Sequence, residues 1–306
     1  MEFKKISVIT PSFNRREMLE TAIKNVISQD YPNLEHIVVD GGSSDETQDM
    51  LKMYPQVRFI SEPDQGMYDA LNKGIEISEG EVIGFLNTDD MYTDNIFGEI
   101  VAKFEDERVM AVAGCAVVLA QTNNGSVEII ERYLPGGQSL LESSTVGNNY
   151  FNAWFFRRSV FQKIGSFDMK YRIAGDREFM LRFALSGLLY VTLDKVVYRY
   201  LQHSESLTFH YDIEKRDRVT REHLAMTDFH LKNLGISELQ RKMISQLRTN
   251  ETVDIAVRAI KQKDPQKFFK WAYEGLKRDP FWPFKFIKAP LGFRIRKAIG
   301  FSKIKL

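Results

Sequence analysis

Four short apolar runs alternate with helical patterns over the first 90 residues, and this alternation restricts the fold more than any other feature of the chain. The runs span residues 6–10, 36–39, 57–60 and 82–86. Each is almost continuously apolar or β-branched, which is typical of strands buried on both faces of a sheet. Strands of that kind, separated by helices, form a parallel sheet covered on both sides. The sequence therefore predicts an α/β fold.

Local signals predict where the first strand ends and where the first helices begin. Asn14 with Glu17, and Ser43 with Glu46, resemble capping boxes that follow the first two strands. Pro11 is expected to end the first strand, because proline has no N–H group to donate.

The remainder of the chain is mixed at first and then helical. Residues 188–193 and 195–200 resemble two strands joined by a turn. From residue 212 onward the pattern is helical, with breaks near Gly235 and Pro265.

Polar residues stand at the ends of three of the four predicted strands. Thr10-Pro11 ends the first, Asp40 follows the second, and the segment 87–90 (Asn-Thr-Asp-Asp) follows the fourth. The carboxyl ends of parallel strands meet at one edge of the sheet, where such sheets bind ligands. We therefore expect these residues to form one polar site.

Asp89 and Asp90 are adjacent carboxylates at a predicted strand end. Magnesium and similar ions are held in proteins by one or two carboxylates together with substrate phosphates. The pair therefore predicts a divalent cation that carries a diphosphate. The alternative is a solvated turn in which Asp90 caps the next helix, because a motif this short often matches by chance.

Other polar residues of this half have both a ligand-binding and a structural interpretation. Asp40 could accept hydrogen bonds from a base or a ribose, or could form a turn with the glycines that follow. Thr10-Pro11 could lay backbone against a nucleobase, or simply end a strand. Asp64 and Lys73 bracket the third predicted helix; Lys73 could contact phosphate or be solvated.

Asp176 stands at the start of a helix predicted over residues 176–186. A carboxylate there could be a helix cap and nothing more. It could also be a general base that takes a proton from an acceptor hydroxyl as the oxygen attacks a sugar.

Several classes of protein are disfavoured by what the sequence lacks. The five histidines and one cysteine show no zinc-type spacing. There is no Walker-type loop, no GxGxxG after the first strand and no GxSxG, which disfavours kinases, dehydrogenases and α/β-hydrolases. The net charge of +1 gives no reason to expect a nucleic acid partner.

Cysteine usage and hydropathy predict a cytoplasmic protein. Cys115 is the only cysteine, and its apolar neighbours predict a buried, inert thiol in a core strand. The apolar segment after Lys5 is too short for a signal peptide, and no run is long enough to span a bilayer.

Four segments resemble the family 2 glycosyltransferases in their order and separations, and the likeness is closest to bacterial enzymes that build surface polysaccharides. The segments are residues 6–15, 38–45, 64–74 and 85–90. The likeness covers roughly residues 5–205. It implies a GT-A fold, which has a Rossmann-like mixed sheet with helices on both faces, followed here by a helical C-terminal region.

The resemblance also implies how the chain divides into functional regions. Residues 1–210 are expected to form the catalytic domain, with the nucleotide-sugar half over about 1–100 and the acceptor half over about 101–210. Residues 211–306 are expected to form the helical region. The implied reaction is an inverting transfer of a sugar, by family habit from a UDP-sugar, to a hydroxyl of a glycan or lipid-linked glycan, with Mn²⁺ or Mg²⁺ as the cofactor.

The resemblance assigns roles residue by residue. The nucleotide-binding positions are Thr10, Pro11, Asp40, Asp64, Lys73, Asn87 and Asp89. The metal falls at Asp89 and Asp90, where Asn87 replaces the commoner first aspartate. That replacement leaves open which aspartate binds the cation directly, and it could weaken the affinity. Asp176 falls on the position of the catalytic base.

Residues 261–306 lie outside the resemblance and are strongly basic. They contain 13 Lys/Arg and 3 Asp/Glu, a net charge of +10, interleaved with aromatic residues. Such a segment can lie on an anionic membrane surface, which predicts peripheral contact with the inner face of the plasma membrane. The alternative is that the aromatics pack on the protein and the charges are solvated.

Two other functions remain open at the level of sequence. A non-catalytic module that binds a nucleotide sugar or glycan would be consistent with Asn87. A nucleotidyltransferase also needs paired carboxylates and a cation, but we would expect an early glycine- and arginine-rich phosphate loop, which is absent from the sequence.

Overall fold

The computed structural model describes residues 4–121, 126–202 and 213–288. Backbone contacts divide the chain into two compact units, residues 1–210 and 211–306. The described part of the first unit is a sheet covered by helices, and that of the second is a group of helices.

One mixed sheet forms the centre of the first unit. Its described strands are β1 (Ile6–Ser12), β2 (Leu34–Asp40), β3 (Val57–Ser61), β4 (Val82–Phe85), β5 (Met91–Tyr92), β6 (Ala111–Gln121), β7 (Val127–Tyr133), β8 (Trp154–Arg157) and β9 (Tyr190–Gln202). The strand order is β3-β2-β1-β4-β8-β6-β9-β5, with β7 also paired to β6. The first four strands are parallel, as the sequence predicts. The later strands β8, β5 and β7 pair antiparallel, which makes the sheet mixed.

Helices cover both faces of this sheet. They are α1 (Arg16–Ile27), α2 (Thr47–Leu51), α3 (Met67–Ile77), α4 (Phe97–Ala102), α5 (Leu140–Thr145), α6 (Arg158–Ile164) and α7 (Gly175–Ser186). Alternate side chains of β1 enter different cores: Val8 packs in the core that includes residues of α1 and α4, and Ile9 packs in the core that includes residues of α3 and α7. Burial on both faces explains why the strands are apolar at nearly every position.

Helix α3 lies directly against β1. A Cβ atom on Gly74 would be 2.4 Å from Ile9 Cγ2, so only glycine permits this approach. The close contact places the N-terminal turn of α3 beside the carboxyl end of the sheet, where the polar residues gather.

Two sequence predictions about strands are wrong. Pro11 does not end β1, which continues to Ser12, and Pro11 stands opposite Val39 in the ladder. Residues 190–202 form the single strand β9, because β9 pairs with β6 along its length. Where the sequence predicted a turn, the pairing of β9 with β6 only shifts in register, beside Cys115. Cys115 itself is buried, as predicted, and burial raises the pKa of its thiol.

The second unit contains four described helices. They are α8 (Ile213–His230), α9 (Glu238–Lys261), α10 (Pro265–Arg278) and α11 (Trp282–Lys288). Pro265 opens α10 in its first turn, where the missing N–H costs no hydrogen bond, and Asp264 caps the helix by accepting from the Lys267 N–H at 2.9 Å. Within the described residues, no helix combines the length and the apolarity needed to cross a bilayer.

Candidate active site

Side chains from the loops after β1 and β2 hold each other at the carboxyl edge of the sheet. The Asn14 N–H donates to Ser43 Oγ at 2.7 Å, and Asn14 Oδ1 accepts from the Ser44 N–H at 2.9 Å. Asp45 Oδ2 accepts from the Arg16 N–H at 3.0 Å and so caps α1 from the neighbouring loop. The two predicted capping boxes are therefore wrong, because Asn14 and Ser43 bond across loops instead of within their own helices.

Asp40 is fully buried beneath this pair of loops. Its carboxylate accepts from the Ser43 N–H at 3.0 Å and from the hydroxyls of Ser43 and Ser61. A carboxylate has about four lone-pair positions, so one remains for a further donor. The structure thus shows the turn-forming role of Asp40, which is buried with these three donors.

Thr10 and Pro11 lie near the carboxyl end of β1, immediately before its last residue. The Thr10 hydroxyl lies 2.9 Å from His36 Nε2 in the buried sheet. Burial lowers the pKa of His36 to about 3, so this imidazole is neutral at physiological pH. The Thr10 side chain therefore bonds to His36 inside the sheet. A ligand at this position would contact the backbone of Thr10 and Pro11 instead.

Asp64 lies against the glycine turn that follows β2. A Cβ atom on Gly41 would be 2.6 Å from Asp64 Oδ2 and 3.3 Å from the ring of Phe13. Asp64 Oδ1 also accepts from the Gly66 N–H at 2.8 Å. Phe13 is 59% exposed beside this carboxylate. An exposed aromatic ring next to a carboxylate offers a stacking surface and an acceptor for a nucleobase.

Lys73 reaches back along α3 to the loop that carries Asp64. Its Nζ lies 2.7 Å from Glu62 Oε1, 3.6 Å from Asp69 Oδ2 and 3.3 Å from the Pro63 carbonyl. The hydrogen bond to Glu62 is the main cause that raises the pKa of Lys73. The ammonium is thus held by Glu62 and Asp69 and is not a freely solvated helical lysine.

Asp89 and Arg15 form an ion pair at the end of β4. Arg15 Nη1 lies 3.1 Å from Asp89 Oδ2, and the two side chains are 25% and 15% exposed. The Asp89 carboxylate is therefore partly buried, with a cation opposite it.

Asp90 is buried and is held by three donors. The Tyr198 hydroxyl and the Asn87 amide donate to Oδ2 at 3.0 and 3.1 Å, and the Leu201 N–H donates to Oδ1 at 3.0 Å. Burial raises the pKa of Asp90, and the neighbouring Asp89 carboxylate raises it further. Asn87, in the place of a carboxylate, thus supplies a hydrogen bond to Asp90 where an aspartate would add a third negative charge.

These aspartates fit a divalent cation that shares its ligands with a substrate. Within residues 4–121, 126–202 and 213–288, no group of three or more His, Cys, Asp and Glu side chains could hold a metal alone. Magnesium sites often contain only one or two carboxylates, with phosphate oxygens and waters as the other ligands. Of the two carboxylates, Asp89 is the more exposed, with 15% of its side chain accessible, whereas Asp90 is buried.

Asp176 lies one residue inside α7 and contacts the nucleotide half. The helix is preceded by Ala174 as its N-cap residue, so the sequence interpretation of Asp176 as the cap is wrong. Asp176 Oδ1 accepts from the Tyr68 hydroxyl at 3.1 Å and from the Arg177 N–H at 2.7 Å. The side chain is half-buried, which leaves it accessible to a substrate hydroxyl.

Helix α3 connects the two halves of the first unit. The Tyr68 ring covers Gly175, where a Cβ atom would be 2.7 Å from Cε2 of that ring. The Asn72 amide exchanges two hydrogen bonds with the Phe167 backbone, at 2.9 and 3.0 Å. The segment 64–74 therefore positions the start of α7 from a distance of about a hundred residues in sequence.

Tyr200 shows that the aspartates at the two ends of the site are near each other. Burial raises the pKa of Tyr200 strongly, and the Asp90 and Asp176 carboxylates both raise it further. The Asn152 N–H donates to the Tyr200 hydroxyl at 3.3 Å, and the Asn152 amide donates to the Tyr198 hydroxyl at 3.2 Å. Tyr200, with the buried Tyr198 ring 4.6 Å from its own, therefore interacts with carboxylates from both halves of the first unit.

Sequence reasoning missed Phe13, Arg15, Tyr68, Tyr198 and Tyr200 as parts of the site. Phe13, Arg15 and Tyr68 lie inside segments that carry the family resemblance, so their position was a usable signal. Tyr198 and Tyr200 are alternate residues of β9, where the pattern showed only a strand.

Comparisons with known proteins agree with this arrangement. The model of glycosyl transferase family 2 matches residues 7–165. An uncharacterized glycosyltransferase of Mycobacterium tuberculosis is 33% identical over 196 residues, which are 59% of this chain and 69% of that protein. A PGL/p-HBAD biosynthesis glycosyltransferase of Mycobacterium bovis is 29% identical over 183 residues, which are 58% of this chain and 68% of that protein.

Solved structures of low sequence identity share the fold. S. aureus TarS 1–349 in complex with UDP-GlcNAc has a TM-score of 0.66 at 16% identity, over 97% of this chain and 88% of that one. The mannosyltransferase PcManGT from Pyrobaculum calidifontis, in complex with GDP-Man and Mn²⁺, has a TM-score of 0.58 at 16% identity, over 98% and 88%. These matches confirm the predicted GT-A fold. Because the family model covers more than half of the residues, the chain belongs to glycosyl transferase family 2 and is a transferase enzyme.

Proposed function

We propose that this enzyme transfers a sugar, with inversion, from a nucleotide-diphosphate donor to a hydroxyl of a glycan or lipid-linked glycan in surface polysaccharide synthesis. The observation that carries the proposal is that the carboxylates of Asp90, which follows Asp89 directly, and of Asp176 both interact with Tyr200. A single in-line displacement needs one carboxylate near the leaving diphosphate and another near the acceptor hydroxyl.

The donor half is residues 1 to about 100, and a UDP-sugar is the proposed donor. The backbone of Thr10 and Pro11, the remaining lone pair of Asp40, and Asp64 beside the exposed ring of Phe13 would hold the nucleoside. TarS 1–349 was solved with UDP-GlcNAc and PcManGT with GDP-Man, which supports a nucleotide sugar as the class of ligand.

Mn²⁺ or Mg²⁺ is the proposed cofactor, bound directly by Asp89. A cation there would offset the charge that develops on the leaving diphosphate. Asp90 would orient the segment 87–90 from its buried side, and the Asn87 amide donates a hydrogen bond to the Asp90 carboxylate. Lys73 and Arg15 would then contact phosphate oxygens, since each is held at the nucleotide side by carboxylates that a ligand could replace.

Asp176 is the proposed base, in the acceptor half at about residues 101–210. It takes the proton of the acceptor hydroxyl as that oxygen bonds to the anomeric carbon. The bond from that carbon to the diphosphate oxygen breaks on the opposite side, and the nucleoside diphosphate leaves with the electron pair. No covalent intermediate is needed, so the configuration inverts.

Peripheral contact with a membrane through residues 261–306 is part of the proposal. A lipid-linked acceptor would require the enzyme to work at a bilayer surface. Residues 289–306 of this tail lie outside the described residues.

The test separates donor binding from transfer. Thermal shift with Mn²⁺ and a panel of UDP- and GDP-sugars identifies the donor, and incorporation of labelled sugar into a lipid extract of the source organism measures transfer. Asp176→Asn should keep the donor shift and lose transfer. Asp49→Asn is the matched control, because Asp49 is an exposed aspartate whose described ion pair is to Lys52, the residue just after the same helix. Transfer at the parent rate by Asp176→Asn would refute the base.

A further inference from the structure

Helix α10 has two apolar sides, and one of them has no partner within the described residues. On the inner side, Trp271 packs with residues of α9 and Gly275 is buried against the Trp282 ring, with Phe268 and Ala272 partly buried beside them. A helix on the surface of a globular unit normally has one apolar side that faces the core. The second side therefore needs its own explanation.

The second side is formed by Phe269, Tyr273 and Leu276, which are 68%, 66% and 44% exposed. Their spacing of four and three residues places them in one stripe along the helix. The stripe is thus a continuous apolar edge and not a set of scattered exposed residues.

The same pattern continues into α11. Trp282 is buried, and Phe286 stacks on it with ring centroids 5.0 Å apart, so these two residues fix the segment to the rest of the unit. Phe281, Phe284 and Ile287 remain 68%, 63% and 75% exposed. Exposed apolar groups in this concentration mark a surface that contacts another phase or molecule.

A row of cations borders the stripe. Lys270 and Lys277 each follow a stripe residue by one position, which sets them about 100° around the helix from it. Neither forms an ion pair with any described residue. Between residues 261 and 288 there are 8 Lys/Arg and 3 Asp/Glu, a net charge of +5.

On the basic side of α10 lies a depression of about 680 Å³ shared with α8, lined in part by Arg218, Arg221, Lys267 and Lys270. Asp217 in this depression pairs with Arg258 and Lys267, and Asp264 caps α10. Arg218 and Arg221 form no ion pair with a described residue, so the depression carries uncompensated positive charge.

We infer that the stripe, the exposed residues of α11 and this basic depression form one docking face for an anionic phospholipid bilayer. Aromatic and aliphatic side chains would enter the interface between headgroups and acyl chains, and the cations would contact lipid phosphates. A second copy of the chain fits less well, because a symmetric contact would bring the two lysine rows together.

This inference rests on the proposed membrane contact and assigns it to particular side chains. It does not depend on the sugar transfer, so the two can fail separately. Donor-induced thermal shift with Mn²⁺ reports on the first unit and should be the same in every variant below.

The experiment is co-sedimentation of the full chain with vesicles of phosphatidylcholine alone or mixed with phosphatidylglycerol. We expect binding to the anionic vesicles that weakens as salt is added. The triple variant Phe269→Ser, Tyr273→Ser, Leu276→Ser should bind at least about tenfold more weakly. Lys270→Gln with Lys277→Gln should also bind more weakly, by about fivefold for each charge.

The control is Leu234→Ser with Leu239→Ser. These leucines are 93% and 64% exposed but lie between α8 and α9 and at the start of α9, and so test whether any exposed apolar residue suffices. Equal binding by the triple variant and the parent would overturn the inference. A lipid-free dimer that the triple variant abolishes would overturn it too, since the face would then contact a second copy.

Discussion

The hydroxyl of Tyr68 donates a hydrogen bond of 3.1 Å to Oδ1 of Asp176, across 108 residues of sequence. Tyr68 is buried in the first turn of α3, where it packs at 5.2 Å from the ring of Phe167. The proposed base is therefore oriented by a helix of the nucleotide half. A ligand that orders the segment 64–74 would also act on the position of Asp176.

Tyr68→Phe tests this orientation. The ring and its packing remain, and the substitution removes the hydroxyl that lies 3.1 Å from both Asp176 Oδ1 and the Ile173 carbonyl. A hydrogen bond to a charged group contributes about 1.5–3 kcal/mol, so we expect kcat to fall roughly tenfold to a hundredfold. Donor affinity should not change. In a chain that already carries Asp176→Asn, Tyr68→Phe should bring little further loss, because Tyr68 acts through Asp176.

The control for Tyr68→Phe is Tyr54→Phe, which removes a hydrogen bond of 2.8 Å to Glu20 away from the site. It should leave kcat at the parent value. A higher KM with the parent kcat in Tyr68→Phe would assign Tyr68 to substrate binding and not to the orientation of Asp176.

Gly175→Ala should damage the same contact from the other side. The new Cβ would lie 2.7 Å from the ring of Tyr68, which is buried and has little room to move. Overpacking of this kind costs about 1–3 kcal/mol, and it should displace Tyr68 from Asp176. Urea unfolding and transfer assays measure the two effects.

Gly98→Ala is the matched control for that substitution. Gly98 lies in α4, and an added Cβ atom would stand in open space with no atom of another element within 4 Å. Alanine there should be neutral or slightly stabilising, because it favours the helix more than glycine does. Parent activity in Gly175→Ala would show that the Tyr68 ring can shift without consequence.

Asp89→Asn and Asp90→Asn should have different effects. Asp89 is the more exposed of the two, so Asp89→Asn should fold normally and lose the Mn²⁺-dependent part of the thermal shift with donor. Asp90 is buried and accepts from Asn87, Tyr198 and the Leu201 N–H. Its amide variant would place an N–H₂ group against donors, and it should lose about 1–3 kcal/mol of stability. The reverse pattern would make Asp90 the direct ligand.

His36 should make stability depend on pH. Its pKa in the folded chain is about 3, because it is buried, while the unfolded value is about 6.5. Between these values the unfolded chain binds a proton that the folded chain does not, so stability is complete above pH 6.5 and falls as the pH is lowered. The loss should reach about 2 kcal/mol at about pH 5.

His36→Gln provides the comparison, since glutamine does not titrate and can still bond to Thr10. Urea unfolding near neutral pH and at about pH 5 should show a smaller acid loss in this variant than in the parent. Parallel losses in the two proteins would mean that other groups cause the acid sensitivity.

The elements of the fold were largely predictable from sequence, whereas the helix starts were not. The apolar runs at β1 to β4 and the helix α3 follow from periodicity, which is a local property. Asn14 and Ser43 show the limit: both have the right spacing to cap their own helices, yet each bonds to the other loop. A capping side chain bonds to whichever backbone N–H the folded chain places beside it, and residue spacing alone does not show which one that is.

Local sequence was enough to place Asp40, Asp89, Asp90 and Asp176 close to a strand end or a helix start, because the periodicity that marks each element is a local property. What each carboxylate touches depends instead on distant parts of the folded chain. Arg15 reaches Asp89 across 74 residues, and Tyr198 reaches Asp90 across 108. Burial and long-range hydrogen bonds determine whether a carboxylate has a structural role or can bind a ligand. Burial and these hydrogen bonds exist only once the chain is folded.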